Sequence, residues 1–429
     1  MRRLISLAVA LLATFAVNAQ DFDTNFNDVT LRIDYTLLGN ASEQHVALRD
    51  MSSTDNWWGR RVNLDNVPLA GNGDLTLYDA ETREVLYKTS FSSLFQEWIT
   101  TEEAKSITKS FEFTLLVPMP KRSVVAEMVL RDNTGKESKL AHTIDPNDVL
   151  IRDRNSQKAL PYTYTHQGGD SKECIDVVIL AEGYRIDEME TFMEDAMITT
   201  SEILSYEPFK SHNEKFNFIA VYSASTDTNV SVPQEEAWRD TAVGSNFMTF
   251  YMPRYLTSGE VYKMYDLATN IPCEHFIILA NTDTYGGGGI FNSYTLTTAH
   301  HPSFRPVVVH EFGHSFGGLG DEYFYENGDS NDEIHSLSHE PWEPNITTLV
   351  DFESKWADMV EPGIEIPSKV TAERSENYTV GVYEGGGYRT KGIYRPTDVC
   401  RMRDNVAECF CPVCERALER VILHQTVSE

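Results

Sequence analysis

The sequence predicts two regions in one chain, a β-sandwich followed by an α/β layer. Three observations carry this. The first part is made of short alternating runs separated by turn residues. Beyond residue 160, solid apolar runs alternate with stretches of helical spacing. And 429 residues, at roughly 150 per domain, ask for two or three domains. Apolar residues are 41% and charged residues 24%, close to the globular average, which argues against wholesale disorder.

The chain opens on Arg2 and Arg3, then an almost unbroken apolar run from Leu4 to Val17. Val17-Asn18-Ala19 offers small residues for cleavage before Gln20. Residues 1–19 thus have the form of a secretory signal peptide. The run is shorter than the ~20 residues a spanning helix needs. No cysteine sits at the cleavage point to take a lipid, and no later segment is apolar enough to span a bilayer. The mature chain is expected to be exported, to periplasm or medium. Asp plus Glu outnumber Lys plus Arg, 65 to 36, for a formal charge of −29. Such a surface repels phosphate backbones and anionic membranes, so nucleic acid is not an expected partner.

Residues 20–150 read as the sandwich domain. Leu31 to Tyr35 alternates at period two. Leu75 to Tyr78 and Glu84 to Lys88 flank a turn at Asp79-Ala80-Glu81-Thr82. Phe111 to Leu115 and Val124 to Leu130 are further short strands, the second ending at Asp132-Asn133-Thr134-Gly135. Trp57-Trp58 reads as core or interface packing, and no catalytic cluster is visible in this region. Asp145 to Asp148 and Arg152 to Pro161 read as a linker.

Residues 160–429 form the second domain. Ile175 to Leu180, Phe216 to Tyr222 and Phe276 to Ala280 are runs of the kind buried on both faces of a sheet. Glu188 to Tyr206 has helical spacing. Gly286 to Gly289 lacks the Lys-Ser/Thr of a phosphate loop. Cys400, Cys409, Cys411 and Cys414 crowd together with the spacing C-x8-C-x-C-x2-C. Disulfides and a structural zinc are the two readings, and export favours disulfides. Cys174 and Cys273 each open a strand-like run, placed to pair across neighbouring strands.

The chemistry concentrates at Phe304 to Tyr323. His310-Glu311-Phe312-Gly313-His314 is an H-E-x-x-H pattern behind Pro306, a first-turn helix residue. Histidines four apart lie about 40° apart on one helix face, so two imidazoles can grip one metal ion. Glu311 beside them can take a proton from a water that zinc has acidified to a pKa of about 7. Gly317, Gly318 and Gly320 then break the helix and turn the chain back, and Asp321-Glu322 supplies carboxylates. In the metzincin pattern H-E-x-x-H-x-x-G-x-x-H/D, Gly317 fits the glycine. Position 320 is Gly, however, and the nearest carboxylate, Asp321, comes one residue late. Asp321 is the preferred third ligand, with Glu322 or a distant Glu as alternatives.

The run from His310 to Tyr323 resembles the active-site segment of the bacterial IgA-peptidase family of zinc metallopeptidases. So do Gly385 to Pro396 followed by Cys400-Arg401-Met402-Arg403, and Phe410-Cys411-Pro412-Val413-Cys414. The resemblance covers residues from about 160 to the end. It implies a metzincin-like fold, Zn2+ as cofactor, and a protein or peptide substrate, with immunoglobulin A suggested by the family name alone. By that analogy Met402 is the Met-turn residue beneath the zinc. Tyr388 or Tyr394 would offer a hydroxyl to the oxyanion or substrate. Gly289 to Thr295 would be an edge strand whose glycines let substrate backbone approach. His275, His300 and His301 read as structural or solvated, and Asp329, Asp332 and Glu333 as a solvated acidic loop rather than a calcium site. The expectation is an exported zinc endopeptidase. Its rivals are an adhesion protein with a vestigial metal site, which has no need of Glu311, and a zinc amidase.

Overall fold

The computed structural model describes residues 21–325, 334–369 and 378–428. A short helix α1 (Phe22–Asn25) leads into β1 (Phe26–Asn40) and β2 (Glu43–Asp55). Then follow β3 (Gly73–Asp79), β4 (Val85–Phe91), α2 (Leu94–Trp98), β5 (Lys109–Pro120), β6 (Val124–Arg131), β7 (Glu137–Ile144) and the two-residue β8 (Arg152–Asp153). They form two four-stranded sheets, ordered β5-β1-β2-β8 and β4-β3-β6-β7. Their inner faces share one apolar core, in which Leu31, Ile33 and Tyr35 of β1 meet Leu75 and Leu77 of β3 and Ala126 and Met128 of β6. Trp57 is buried in it, edge-on to Tyr87. The expected linker is partly ordered, since Arg152-Asp153 pairs with β2.

The period-two alternation of β1 has a second use. Arg32 points away from the core yet is 7% exposed. It bonds Asp34 at 2.8 Å and, across the junction, Asp266 at 2.6 Å. Arg154 reaches the same Asp266 at 2.7 Å, and Tyr262 N–H donates to Glu112 at 2.9 Å. The outer face of this sheet is therefore an interface built of ion pairs and hydrogen bonds.

The second region is organised on a six-stranded sheet of β9 (Tyr162–Gln167), β10 (Ile175–Glu182), β11 (Phe216–Val221), β12 (His275–Ala280), β13 (Gly287–Ile290) and β14 (Tyr294–Thr298). The order is β13-β14-β12-β10-β11-β9. The four inner strands are parallel, and both edge strands run antiparallel. All residues of β10, β11 and β12 are buried, because helices cover both faces. On one face Val177, Ile179 and Leu279 pack against α3 (Met189–Ile203), α5 (Phe304–Gly317) and α6 (Pro412–Thr426). On the other, Val178, Leu180 and Ile278 pack against α4 (Val261–Leu267) and the loop carrying Phe247 and Leu256. A last hairpin, β15 (Tyr383–Gly386) and β16 (Arg389–Arg395), closes over the chain after α5.

Two expectations are corrected here. Gly289 to Thr295 is not one edge strand. The chain turns at Phe291-Asn292-Ser293, so β13 forms the edge and Tyr294-Thr295 already belongs to β14, one strand inward. The edge is also partly covered, since Gly287 N–H donates to Arg254 C=O at 3.4 Å and Gly287 C=O accepts from Leu256 at 3.5 Å. The second correction concerns the cysteines, for none of the six is in a disulfide. Cys174 and Cys273 stand just before adjacent strands but remain unbonded, each buried against its own surroundings.

Candidate metal and catalytic site

Helix α5 is apolar on nearly every side. Val307, Val308, Val309, Phe312 and Phe316 are buried, and His310, Glu311 and His314 share the remaining, partly open face. Gly318 ends it in the left-handed conformation at φ 61°, where glycine pays no Cβ penalty. The turn is then held by Asn345, whose side chain accepts from Gly320 N–H at 2.7 Å and donates to Gly320 C=O at 2.9 Å. This clamp returns Asp321 to the helix.

His310 Nε2 and His314 Nε2 lie 3.0 Å apart, and Asp321 Oδ1 is 3.0 Å from the first and 3.3 Å from the second. The other ring nitrogens fix the tautomers. His310 Nδ1 meets Arg401 C=O at 3.0 Å and His314 Nδ1 meets Leu319 C=O at 2.5 Å. A carbonyl only accepts, so each Nδ1 carries a proton, and each Nε2 of a neutral ring presents a lone pair. Two lone pairs and a carboxylate oxygen thus converge on one point. A tetrahedral ion about 2.0–2.1 Å from each donor would space them by about 3.3 Å, close to what is seen. Among the described residues, Asp321 Oδ1 is buried without a hydrogen-bond donor. The field between these groups favours positive charge at Nε2, whether a proton or an ion brings it. Burial opposes the charged forms, yet the attraction between the partners holds Asp321 well below the carboxylate range and pushes His314 up to about 10. These three residues can hold a metal ion.

Glu311 lies beside them, its carboxyl pushed up by burial and drawn back by the two histidines. Its place is set by β13. A Cβ on Gly287 would stand 2.7 Å from Glu311 Oε1, and one on Gly289 would stand 2.3 Å from Glu311 O. The glycines of the edge strand therefore serve its approach to α5. Met402 lies under the same helix, fully buried, and a Cβ on Gly313 would meet its Sδ at 2.8 Å.

The two tyrosines part company. Tyr388 donates its hydroxyl to Asp321 Oδ2 and follows Gly387 with a φ of 67°, uncommon for an aromatic residue. Tyr394 sits on β16 paired with Thr347, and among the described residues no hydrogen bond or ring contact ties it to the histidines. Glu322 points away from His310, toward Cys414. His300 bonds Asp195 at 2.9 Å, His301 Nδ1 accepts from Ser303 N–H, and His275 is buried. Asp329, Asp332 and Glu333 lie outside the described residues.

Four neighbours were not anticipated. Tyr323 stacks near His310 at 6.4 Å, and Arg254 lies over Tyr323 at 5.5 Å. Tyr255, against β13, donates to Glu97 of α2, so the sandwich reaches the site. Burial raises Glu97 to about 7, with Asp321 and Glu311 adding to it. Tyr323 stood next to the motif and was legible. Arg254, Tyr255 and Glu97 carry no local pattern.

A convergent His-His-Asp group with a glutamate at its side can hold a metal ion, and the family comparison is specific about the class of protein. A model described as IgA Peptidase M64 matches residues 164–378 and 369–422, and one described as Peptidase M64 N-terminus matches residues 21–141. The chain belongs to the IgA Peptidase M64 family and is a peptidase with that family's two-region architecture. No curated protein matches it.

Proposed function

We infer that the protein is an exported zinc endopeptidase with a metzincin-like catalytic region. The observation that carries the reading is the meeting of His310 Nε2, His314 Nε2 and Asp321 Oδ1 within 3.0–3.3 Å of one another. A zinc ion held there would polarise the scissile carbonyl and acidify water. The protein's own groups do the rest. Glu311 takes the proton of the attacking water and passes it to the leaving amine. Arg401 and Leu319 carbonyls hold both rings in the Nδ1–H tautomer. Tyr388 orients Asp321. Arg254 lies over the ring of Tyr323, which is stacked near His310.

The substrate class is protein or peptide in the extracytoplasmic space, with immunoglobulin A one candidate. Residues 1–19 would direct export to periplasm or medium. The test is a digest of an unbiased peptide library by purified protein, with and without chelator. Cleavage that chelator abolishes and zinc restores is expected. In Glu311→Gln the metal should stay and turnover should fall at least 100-fold. Near-normal turnover in a metal-loaded Glu311→Gln protein would remove the general base from the scheme.

A further inference from the structure

Directly below the histidine group, three cysteines and a carboxylate close on a second point. Cys400 stands two residues before Met402. Cys411 is the N-cap of α6 and Cys414 lies in its first turn. Glu322 immediately follows Asp321. Glu322, Cys400, Cys411 and Cys414 are each 0% exposed, and their ligand atoms all lie within 4.8 Å of one another. Cys400 Sγ is 3.7 Å from Cys414 Sγ, and Glu322 Oε1 is 3.1 Å from Cys414 Sγ and 4.0 Å from Cys411 Sγ.

The distances discriminate. A disulfide needs about 2.05 Å between sulfurs, and any pair formed among three cysteines leaves one over. A tetrahedral zinc, about 2.3 Å from sulfur and about 2.0–2.2 Å from oxygen, spaces sulfurs by about 3.8 Å and sulfur from oxygen by about 3.5 Å. The first value matches Cys400–Cys414, and the second falls between the two glutamate distances. The surroundings are those of anions. Met402 N–H and Cys411 N–H point at Cys400 Sγ at 3.4 and 3.3 Å. The start of a helix favours thiolate at Cys411 and Cys414. Asn345 donates to Glu322 Oε1 at 2.9 Å, while Oε2 is buried with no hydrogen-bond partner among the described residues. Arg395, whose charge reaches Glu322, is already bonded to Asp398 at 2.9 Å. A fully buried carboxylate among thiols is costly without a cation at hand.

We propose that Cys400, Cys411, Cys414 and Glu322 hold a second metal ion, a structural zinc distinct from the one at the histidines. Three soft thiolates and one carboxylate fill a tetrahedron and leave no position for substrate. Binding displaces the thiol protons to solvent. Cys409 is excluded, for its backbone rather than its sulfur serves the site, accepting from Arg401 N–H at 2.9 Å. The ion braces the floor of the first site. Glu322 N–H donates to Met402 C=O at 2.9 Å, and the next residue back, Asp321, is the carboxylate of the histidine group. One dipeptide therefore serves both centres.

The test uses the full mature chain. Elemental analysis of the wild-type protein should find two zinc ions per chain, with no disulfide among Cys400, Cys411 and Cys414 in the intact mass. The His310→Ala/His314→Ala protein should keep one, and when loaded with cobalt it should show intense thiolate-to-cobalt charge transfer. Cys411→Ser/Cys414→Ser should abolish that band. One zinc in the wild-type protein with all these thiols open to alkylation in the native state would overturn the proposal, as would a disulfide among them. The wild-type measurements decide even if a variant fails to fold.

Discussion

At the scale of single residues, the site depends on bonds made by atoms that are not themselves at the reacting point. Tyr388 is the clearest case. Its hydroxyl is committed to Asp321 Oδ2, so it acts on the carboxylate rather than standing free for an oxyanion. Partners of metal-binding side chains typically carry 10–100-fold in metal affinity. Tyr388→Phe is expected to weaken metal binding by roughly 10-fold, measured by chelator competition, with kcat recovering at saturating zinc. A kcat that stays low in fully loaded protein, with affinity unchanged, would return Tyr388 to the oxyanion role. Asp321→Ala should lose the metal of the histidine group and activity together, read by zinc stoichiometry. Gly313→Ala would push a Cβ to 2.8 Å from Met402 Sδ. Overpacking of this kind costs about 1–3 kcal/mol, to be seen in the denaturation midpoint.

At the scale of elements, the hairpin of β13 and β14 is held from outside its own sheet. Phe291 N–H donates to Ser92 Oγ at 2.9 Å and Phe291 C=O accepts from Ser92 N–H at 3.0 Å. Asn292 donates to Ser90 C=O at 2.8 Å. The sandwich thus fixes the strand that fixes Glu311. Asn292→Ala removes this bond and a second one to Thr89 Oγ1 at 3.2 Å, each worth about 1 kcal/mol. It is expected to lower kcat/KM with secondary structure intact; unchanged kinetics would show that the sandwich does not tune the site. This arrangement marks the limit of what the sequence discloses. The apolar runs of β10 to β12 and the whole histidine segment were readable because each is written in contiguous residues with a fixed period. The turn at Phe291-Asn292-Ser293 was readable too, from its polar Asn-Ser pair, but was taken into a strand. Glu97 meeting Tyr255, or Arg32 meeting Asp266, joins residues far apart in the chain, and no local period encodes that. The cysteine spacing allowed both pairing and metal, and neither the distances between the sulfurs nor the place of Glu322 among them is written in it.

At the scale of the whole molecule, buried groups well away from the histidine site also shape stability against pH. Asp176 on β10 is fully buried. Its Oδ1 accepts from Ser171 at 3.0 Å and Asn217 at 2.9 Å, while Oδ2 has no partner among the described residues. Burial pushes its carboxyl up to about 7. The unfolded value is about 3.9, so between about pH 4 and pH 7 the native protein holds a proton that the unfolded chain has released. Stability from this group is complete below pH 4 and drains as pH rises through 7, by at most about 1.4 kcal/mol per unit and about 4 kcal/mol in all. His275 and His424 work the other way. Burial pushes them down to about 4 and about 3, so the native protein gains stability from them as pH rises toward 6.5. The wild-type curve is therefore a partial cancellation, and the informative quantity is a difference. Asp176→Asn keeps the oxygen that Ser171 and Asn217 use and places an NH2 where the protonated acid carries a single O–H, so one further unpaired donor costs about 1–3 kcal/mol at every pH. Relative to wild type, the variant should be less stable at pH 4.5 and should overtake it by pH 8, with urea midpoints compared at pH 4.5, 6 and 8. A difference that stays constant across that range would mean that Asp176 is ionised in the folded protein, and the pH dependence would then have to arise elsewhere in the core.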